Sequence, residues 1–550
     1  MTMMKNKISI LLIIFLQSFV SFAQVPNWTW AKNAGSTSTE YSNSICTDLS
    51  GNVFITGCFE GNNLPFDTII LTNNGMVNYS DIFLAKYDPN GNVLWAKSAG
   101  GYENDVSTSI CSDLNGYIYI TGYFESTISF DSLSLTHNGP GFTDDSFLAK
   151  YDPNGNLVWV KNIGGIGDDD GNSVCTDLNG NIYVTGFFSD TAFVLGTDTL
   201  INTNQENIFL AKFDSNGNVL WARSPSKNYF AAGYGVTTDI SGNAYITGAF
   251  GSDTLIFNND TLINKGDADI FIVKYDQSGD VVWAKSAGGI GDENALCISA
   301  DIMENIYVGG WFYSPSINFG IDTLINDNTN GLPQSFIVKY DHNGNVLWAL
   351  KINTQCNYGP YISSDLSGNI FVIGNFSQSY VVLNSDTLFC NGVSDIFLSK
   401  FDSSGNFIWD QSIGGSGSDI GTGIANSLGN VYITGMYNSP TISFGTNILN
   451  NIGFVDIYTA SFSSTNNLET IKDNNYMFSI YPNPSNNFFT IIVPADTRNV
   501  QIINSLGQIV QSKIVDRETK LDFEIKKSGI YFIQVTTDKQ TVTKKLIVTN

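Results

Sequence analysis

Histidine is almost absent from this chain, whose 550 residues contain only His137 and His342. A Ser-His-Asp site needs a histidine beside its nucleophile. His342 stands in the turn DHNGN, where sister segments carry Pro, Ser or Gln, and His137 lies in a variable loop. Cysteine and histidine spacings typical of zinc sites are also missing. The sequence therefore predicts a protein that is not an enzyme.

Basic residues are scarce, with 26 Lys and Arg against 51 Asp and Glu and a net charge of −25. The excess of acids lies before Asp473, because the residues from there onward carry 7 acids and 9 bases. An acidic body repels nucleic acid and anionic lipid, so neither is an expected partner. Its simplest role is solubility. An acidic surface that uses divalent cations is the alternative.

Long apolar runs are confined to the N-terminus, where Ile8 to Val20 follows two lysines. Ser21-Phe22-Ala23 places small residues at the two positions that a signal peptidase reads. This pattern predicts a secretory signal peptide over residues 1–23, cleaved between Ala23 and Gln24. The run is too short to span a bilayer comfortably and no second run of about twenty follows, so we expect no transmembrane segment in the mature chain.

Cysteine is infrequent and odd in number, with seven residues in a chain that is predicted to be exported. Cys46, Cys111 and Cys175 recur at one position of successive repeats, which indicates small buried residues in strands. Cys356 and Cys390 fall in two loops of one repeat that should share a face. The sequence leaves a disulfide between these two open.

One kind of segment recurs along the chain. DIFLAKYDPNGNVLWAK at 81–97 reads as a β-hairpin, with Pro and Gly placed for a tight turn, and closely similar segments follow along the chain. A tryptophan marks each return strand at spacings of 61 to 65 residues. These are Trp30, Trp95, Trp159, Trp221, Trp283, Trp348 and Trp409. Seven phrases of the GNVFITG type confirm the count and indicate a repeat architecture.

Each repeat predicts four antiparallel strands that form one sheet with two apolar faces. Such a sheet must lie between neighbours, and radial stacking of seven units gives a β-propeller. The last unit ends at 456–462 without a tryptophan strand, whereas the chain begins with an unpaired one around Trp30. We therefore expect an all-β, closed seven-bladed propeller over residues 24–462, with the N-terminal strand completing the last blade.

These repeats resemble the bacterial SBBP β-propeller family, through phrases of the DIFLAKYDPNGNVLWAKSAGG and D-x-x-GN-IYITG types. The resemblance covers about Val25 to Phe462. It implies the fold and leaves the activity open.

A polar linker is expected at 463–473, followed by a different domain at 474–550. Six or seven short strands in about 75 residues predict a small β-sandwich. The segments YPNPSNNFFTI, INSLGQIV and SGIYFIQVTTDKQTVTKKLIV resemble the type A C-terminal sorting domain of type IX secretion. The residues that carry this resemblance are Tyr481, Pro482, Asn483, Pro484, Gly507, Gly529 and Tyr531. It implies a secreted or outer-membrane surface-attached protein and the type IX machinery as a partner.

Acidic turns are the only cofactor candidates. The Asp-x-x-Gly-Asn phrases sit where hairpin turns are needed and are too short for EF-hand loops. Loops such as GGYEND and GGSGSD place Asp105, Asp170, Asp292 and Asp419 near the predicted channel mouth. We expect no metal; Ca²⁺ at these four aspartates is the alternative. Lysines of the LAKYD phrase repeat, which indicates a structural pairing with turn aspartates.

A site for a unique ligand would break the repeat, as Trp311 and the Lys227–Tyr234 loop do. A role in the core is the simpler interpretation of these aromatics, and stacking on sugars is the alternative. Three functions remain open. The first is a non-enzymatic surface or secreted binding protein for a glycan or a protein. The second is an exported hydrolase that acts on polysaccharide or peptide and draws its acids from the mouth loops. The third is a structural spacer of the cell surface.

Overall fold

The computed structural model describes residues 26–75, 78–139, 141, 143–203, 205–226, 230–328, 331–354, 359–383, 386–464, 478–481, 485–504, 508–537 and 541–549. The secondary structure of these residues is β throughout, without a helix. None of their segments therefore offers a helix that could cross a membrane. Ala23, Gln24, Pro482, Asn483, Pro484, Gly507 and Cys356 lie outside the described residues, so the predictions at those positions stay predictions.

Seven antiparallel sheets account for residues 27–463. In each sheet four main strands, which we call the first, second, third and outer strand, lie side by side in that order. The first strands are Glu40–Thr47, Asp105–Ser112, Asp169–Thr176, Ala231–Thr238, Glu293–Ala300, Tyr361–Ser364 and Asp419–Ser427. The second strands are Val53–Phe59, Ile118–Phe124, Ile182–Phe188, Ala244–Phe250, Ile306–Phe312, Ile370–Phe376 and Asn430–Tyr437. The third strands are Asp81–Tyr87, Asp145–Tyr151, Asn207–Phe213, Asp269–Tyr275, Gln334–Tyr340, Asp395–Phe401 and Asp456–Ser463. The outer strands are Asn27–Ala34, Val93–Gly100, Leu157–Asn162, Val219–Arg223, Val281–Ala287, Val346–Ile352 and Phe407–Ile413.

A short hairpin lies between the second and third strands of every unit. The seven hairpins are Asn63–Phe66 with Ile69–Thr72, Thr127–Phe130 with Leu133–Thr136, Ala192–Leu195 with Asp198–Ile201, Thr254–Phe257 with Asp260–Ile263, Ser316–Asn318 with Thr323–Ile325, Tyr380–Leu383 with Asp386–Phe389, and Thr441–Phe444 with Asn447–Asn450. One hairpin strand, Thr127–Phe130, also pairs with the outer strand of the preceding sheet. The sequence did not predict the strands of these hairpins, because their segments vary strongly between repeats.

The core lies between the sheets. The second and third strands are buried on both faces, so Phe54, Ile55, Phe83 and Leu84 are at most 1% exposed. Every Asp-x-x-Gly-Asn phrase is a turn, as predicted. In one of them, Asp88 accepts hydrogen bonds from the backbone N–H groups of Asn90 and Asn92, both within 2.9 Å.

Six outer-strand tryptophans donate a hydrogen bond to a carbonyl of the next unit, and the seventh, Trp409, packs against Phe462 of the last third strand. Trp95 Nε1 and Lys86 Nζ donate to the same carbonyl, that of Pro153 in the following unit, at 3.2 and 3.0 Å. The ammonium of Lys86 also lies 3.8 Å from the carboxylate of Asp48. Lys212 and Lys274 pair with turn aspartates in the same way, which confirms the predicted role of the repeated lysines.

The N-terminal strand pairs with the last propeller-type strand, as its tryptophan predicts. Trp30 lies opposite Ser461 and Ala31 opposite Ala460. The indole of Trp30 donates to the carbonyl of Pro89 at 3.0 Å, which continues the series of tryptophan contacts into the first unit.

First strands lie beside one another from unit to unit. Asn43 Nδ2 donates to Ser107 O at 3.0 Å and Asn172 Nδ2 to Gly233 O at 3.0 Å. The first strand of the seventh sheet lies beside that of the first sheet, because Thr47 Oγ1 donates to Asn426 O at 3.3 Å. In addition, the hydroxyl of Ser42 lies 2.7 Å from that of Thr434 in the adjacent second strand.

Beyond residue 478, two sheets share one hydrophobic core. One has the strands Ser479–Tyr481, Phe488–Ile492 and Lys520–Glu524. The other has Ser485–Asn486, Thr497–Asn504, Ile509–Ile514, Gly529–Thr537 and Thr541–Thr549. Ile491, Ile502 and Ile533 are fully buried between them. Of the predicted motif residues, Gly529 begins a strand and Tyr531 is buried, donating to Lys527 O at 2.9 Å.

Candidate functional site

The loops that enter the first strands are held by buried carboxylates. Asp105 Oδ2 accepts the N–H of Gly101 at 2.6 Å, and Asp419 Oδ2 accepts that of Gly415 at 2.8 Å. Both aspartates are at most 1% exposed. Burial raises the pKa of each, and in Asp105 the charge of Asp81 adds to the effect.

The predicted set of four equivalent aspartates is wrong in part. The strand register places Asp105 opposite Phe124, and the residues with the same partner in their sheets are Asp169 and Glu293. Asp170 lies one residue after this position and Asp292 one before it. Because alternate residues of a strand point to opposite faces, a shift of one residue changes the direction of the side chain. The four side chains therefore do not form one ring.

Loop closure is the observed role of the residues at the shared position. Glu293 Oε2 accepts the N–H of Gly289 at 2.7 Å and Asp169 Oδ2 that of Gly165 at 2.5 Å. Within the described residues, no group of three or more His, Cys, Asp or Glu side chains is arranged to hold a metal ion.

Each sheet contains a variable pair of residues. One member follows the loop-closing position in the first strand, and the other lies opposite it as the second-to-last residue of the second strand. The second-strand member always stands between a glycine and an aromatic residue that repeat in every unit. Its seven identities are Cys58, Tyr123, Phe187, Ala249, Trp311, Asn375 and Met436. The described first-strand partners are Tyr41, Val106, Asp170, Ala232, Asn294 and Ile420.

This pair is where the units differ most at a fixed place in the framework. The aromatic residue that follows it, such as Phe124 or Phe312, is fully buried in every sheet. In contrast, Tyr123, Asp170 and Trp311 are half-buried. All pairs lie at the end where the first strands begin, which we call the rim. Other members of the pairs, Cys58, Ala232, Ala249 and Asn375, are buried, so only some units contribute accessible side chains to the rim.

Negative charge collects on one part of the rim. Burial, with the charges of Asp144, Asp168 and Glu206, raises the pKa of Asp170 to about 8. Burial and the charges of Glu125 and Asp168 raise the pKa of Asp144 to about 6. The pKa of Tyr123 is raised by burial and by the charge of Asp170. These groups belong to neighbouring units and lie within electrostatic reach of one another.

Trp311 continues the rim in the fifth sheet. Its strand partner is Asn294, and its ring packs edge-on against Tyr313 with centroids 5.4 Å apart. Asn294 also hydrogen-bonds Tyr234 of the preceding sheet. Sequence reasoning singled out Trp311 and the loop that ends at Tyr234. It missed their common location, which only the strand register shows.

The remaining candidate residues, the two histidines and Cys390, lie in contact with neighbouring loops and turns. His137 Nε2 lies 2.8 Å from Thr143 Oγ1 and 3.8 Å from Asp145 Oδ1. His342 is a turn residue, as predicted, and its carbonyl accepts Lys274 and Trp283. Cys390 Sγ lies 3.4 Å from Gly392 O. Its proposed partner Cys356 lies outside the described residues, so that disulfide stays a prediction.

Comparison with known proteins identifies two segments. Residues 158–186 match the family model described as beta-propeller repeat, and residues 479–549 match that of the secretion system C-terminal sorting domain. An uncharacterized WD repeat-containing protein, L264, of Acanthamoeba polyphaga mimivirus is 26% identical, over 70% of this chain and 34% of that protein. The regulatory protein FlaEY of Caulobacter vibrioides is 30% identical, over 25% of this chain and 14% of that protein.

The chain thus spans about a third or less of the curated relatives that it matches. Among solved structures, Sqt1 from Chaetomium thermophilum has a TM-score of 0.40 and 9% identity, covering 79% of this chain and 100% of that one. The WD40 β-propeller domain of Doa1 has a TM-score of 0.28 and 9% identity, covering 63% and 94%. The chain therefore combines SBBP-type β-propeller repeats with a C-terminal type IX sorting domain, which directs it to the cell surface or the extracellular space.

Proposed function

We propose that this is a non-enzymatic binding protein, exported by type IX secretion, whose binding surface is the rim. The observation that carries the proposal is the variable pair. Seven units keep their glycine, aromatic residue and turn, yet they differ at the two rim positions. A purely structural spacer has no reason to vary most at these two positions. Rigid repeat scaffolds commonly place function at such variable end positions.

The rim needs a fixed frame, and we infer that the seven sheets form a closed seven-bladed propeller. The pairing of Trp30 with Ser461 and the contact of Ser42 with Thr434 support closure. The two tail sheets, which share a core, support the predicted C-terminal β-sandwich.

Closure has a direct test. Deleting residues 24–33 removes the outer strand of the seventh sheet together with Trp30 and its hydrogen bond to Pro89 O. We expect a loss of cooperative melting in calorimetry, since two sheet edges open at once. Unchanged melting of the deletion variant would contradict the ring.

Binding is tested with the purified protein on arrays of glycans and peptides. Trp311→Ala and Tyr123→Ala each remove a half-buried rim aromatic and should abolish the hits of the parent protein. The matched control is Tyr380→Ala, which removes a tyrosine that is 58% exposed on a peripheral hairpin. Its binding should be unchanged. If all three variants keep every hit, the rim is not the binding surface.

A second candidate function is hydrolysis, and one observation favours it. Asp144 and Asp170 are non-equivalent carboxyls, and the charge of Asp144 adds to the effect of burial on the pKa of Asp170. Their pKa values, about 6 and about 8, differ as those of a base and an acid would. If the parent protein cleaves a polysaccharide or peptide and Asp170→Asn abolishes the cleavage, hydrolysis replaces binding as the function.

A further inference from the structure

A cavity of about 310 Å³ lies where the third unit meets the fourth. It is bounded by the end of the third unit's hairpin at 199–203, by Asn207 at the start of the third strand, and by residues 224–226 after the outer strand. Asn207 lies opposite Phe188, which follows Phe187 of the variable pair. The cavity therefore adjoins the rim.

A proline opens one side of this cavity. In the first unit the strand pairing extends to the fourth residue after the tryptophan, so that Ala99 lies opposite Ile82. The third unit has Pro225 at this position, and a proline has no N–H to donate to the third strand. The outer strand accordingly ends at Arg223. Ser226 still pairs with Ile256 of the fourth unit's hairpin, through N–H···O contacts of 2.9 and 3.2 Å, which fixes this wall.

The loss of an acid opens another side. In five units a buried aspartate near the start of the third strand accepts a backbone N–H just beyond the hairpin, as Asp81 accepts that of Asn74 at 2.8 Å. The third unit has Asn207 there. Its side-chain carbonyl accepts the N–H of Ile208 at 2.9 Å, and its amide nitrogen donates to Pro225 O at 3.3 Å. Asn207 thus bonds its own strand and the segment of Pro225, and the space beside the hairpin end stays open.

The polar part of the lining is uncharged, although the chain as a whole is acidic. Four hydroxyls and two buried amides contribute to it, those of Thr199, Thr203, Ser224, Ser226, Asn202 and Asn207. Hydroxyl and amide groups both donate and accept hydrogen bonds. Arg223 and Asp198, which adjoin the lining in sequence, pair with each other at 3.4 Å. A charged ligand would find no partner of opposite sign in this lining, and burying an unpaired charge is costly.

The apolar part of the lining consists of Leu200, Ile201 and Pro225, and Ile201 is 59% exposed. The C–H groups of a sugar ring pack against aliphatic side chains of this kind, while its hydroxyls need both donors and acceptors. The volume lies at the lower end of the range for small-molecule sites, about 300–1,000 Å³. The cavity therefore suits a single small polar ring better than a length of polymer.

We propose that the ligand of the rim is a neutral glycan and that one of its sugar residues occupies this cavity. The hydroxyls of the sugar exchange hydrogen bonds with the four lining hydroxyls, while Ile201 and Pro225 contact its ring carbons. This inference rests on the proposed binding function and names the chemical class of the ligand.

The test uses the full chain in isothermal titration calorimetry with linear hexamers of glucose, mannose, galactose and xylose. A hexamer of galacturonic acid is the charged probe of the same length. Thr199→Tyr fills the cavity with a ring, so the affinity for the neutral hexamer that the parent protein binds should fall at least about tenfold. Thr203→Val removes one hydroxyl and keeps the shape, and its affinity should fall about twofold to tenfold, as for one neutral hydrogen bond.

The matched control is Thr261→Tyr, the same change at the equivalent position of the fourth unit's hairpin. Thr261 lies opposite Ile256 as Thr199 lies opposite Val194, and both threonines are exposed. Tyrosine favours strands, so both variants should melt like the parent protein, and the control's affinity should change less than about twofold. Equal losses in the two variants would overturn the proposal. So would binding of the galacturonic acid hexamer as tight as that of the neutral ones.

Failure here is separable from failure of the proposed function. If no neutral hexamer binds while Trp311→Ala still abolishes an array hit, the rim remains a binding surface and only its ligand class is wrong. If a neutral hexamer binds and Thr199→Tyr leaves its affinity unchanged, the cavity is not the site and the proposal falls. If the variants of Trp311 and Tyr123 keep every array hit, the binding function of the rim itself falls.

Discussion

The seven junctions between successive sheets are of two kinds. Five pair a buried acid at the start of a third strand with a buried acid at the start of the next first strand, and we call them acid junctions. They are Asp81 with Asp105, Asp145 with Asp169, Asp269 with Glu293, Asp395 with Asp419, and Asp456 with Glu40. In the two neutral junctions the third strand begins with Asn207 or Gln334, and the segments that lead to the next first strands, 224–231 and 353–360, contain no acid.

A third position changes together with the acids. Five residues after each outer-strand tryptophan, the acid junctions have Gly35, Gly100, Gly164, Gly288 and Gly414. The neutral junctions have Ser226 and Asn353 there instead. A Cβ on Gly100 would lie 1.9 Å from Cγ of Asp81, and one on Gly288 would lie 2.0 Å from Oδ1 of Asp269. Glycine is therefore required where a carboxylate fills the space.

The comparison shows that the two acids and the glycine of an acid junction occur together and that the acids hold the adjoining loops. At an acid junction Asn74 N–H donates to Asp81 at 2.8 Å and Gly101 N–H to Asp105 at 2.6 Å, so two loops are tied to two carboxylates. At a neutral junction the amide of Asn207 donates to Pro225 O at 3.3 Å and its carbonyl accepts the N–H of Ile208. An uncharged amide ties the loop without a buried charge.

Acid junctions bind protons in the folded protein, and the largest effect that we predict is the resulting dependence of stability on pH. Burial raises the pKa of Asp81 and of Glu40 to about 7 and that of Asp169 to about 8. The unfolded values are near 4, so between pH 4 and 8 the folded state binds more protons than the unfolded state. The free energy of unfolding then falls as the pH rises through this window.

Each junction contributes on the order of a few kcal/mol, because one pKa unit corresponds to about 1.4 kcal/mol. The melting temperature in calorimetry should be at least about 10 °C higher at pH 5 than at pH 8. Hydrogen bonds in the turns lower the pKa of Asp88 and Asp152 against the effect of burial, so these turn aspartates titrate below the window. A melting temperature that rises from pH 5 to pH 8 would contradict this account.

The glycine requirement predicts the next largest effect. Gly100→Ser introduces the residue of a neutral junction into an acid junction, where its Cβ overlaps Asp81. We expect a loss of about 3 kcal/mol in the free energy of unfolding by denaturant titration, as for an overpacked core. The reverse change, Ser226→Gly, meets no carboxylate and should cost at most about 1 kcal/mol. Similar losses in both variants would break the distinction between the two kinds of junction.

Removing one charge from an acid junction should stabilise the protein in alkaline solution. Asp81→Asn keeps an acceptor for Asn74 N–H and leaves Asp105 as the only acid of its junction. The free energy of unfolding should rise by about 1–2 kcal/mol at pH 8 and stay unchanged at pH 5, where the junction is protonated. Denaturant titrations at the two pH values measure this difference, and destabilisation at pH 8 would show that the charge itself is needed.

Much of the architecture could be predicted from the sequence because the repeat provides seven independent readings of each element. The tryptophan and the GNVFITG phrase fixed the strands, and the unpaired Trp30 indicated its pairing with the last strand. Likewise, the SBBP and sorting-domain resemblances rested on phrases long enough to be specific. The hairpins such as Asn63–Phe66 with Ile69–Thr72 were missed because their residues vary between units.

The candidate site was predicted less well for a physical reason. In the loop GGIGDDD three aspartates follow one another, and only the strand register shows that Asp169, not Asp170, closes the loop. A one-residue shift turns a side chain to the other face of the sheet. Aligning the seven units on their tryptophans would have given the correct register, and with it the linked acids, glycines and variable pairs.

The smallest effect is expected from converting a neutral junction. Gln334 is 3% exposed and its Oε1 has no hydrogen-bond partner among the described residues. Gln334→Glu is isosteric and buries one charge, but the sequence from 353 to 360, which leads to the next first strand, contains no acid. Without a second carboxylate the pKa of the new acid is raised by burial alone, so the cost at pH 8 should stay below about 1 kcal/mol and should vanish at pH 5. If denaturant titration finds a loss as large as the gain from Asp81→Asn, burial alone explains the acid junctions and repulsion between paired acids contributes nothing.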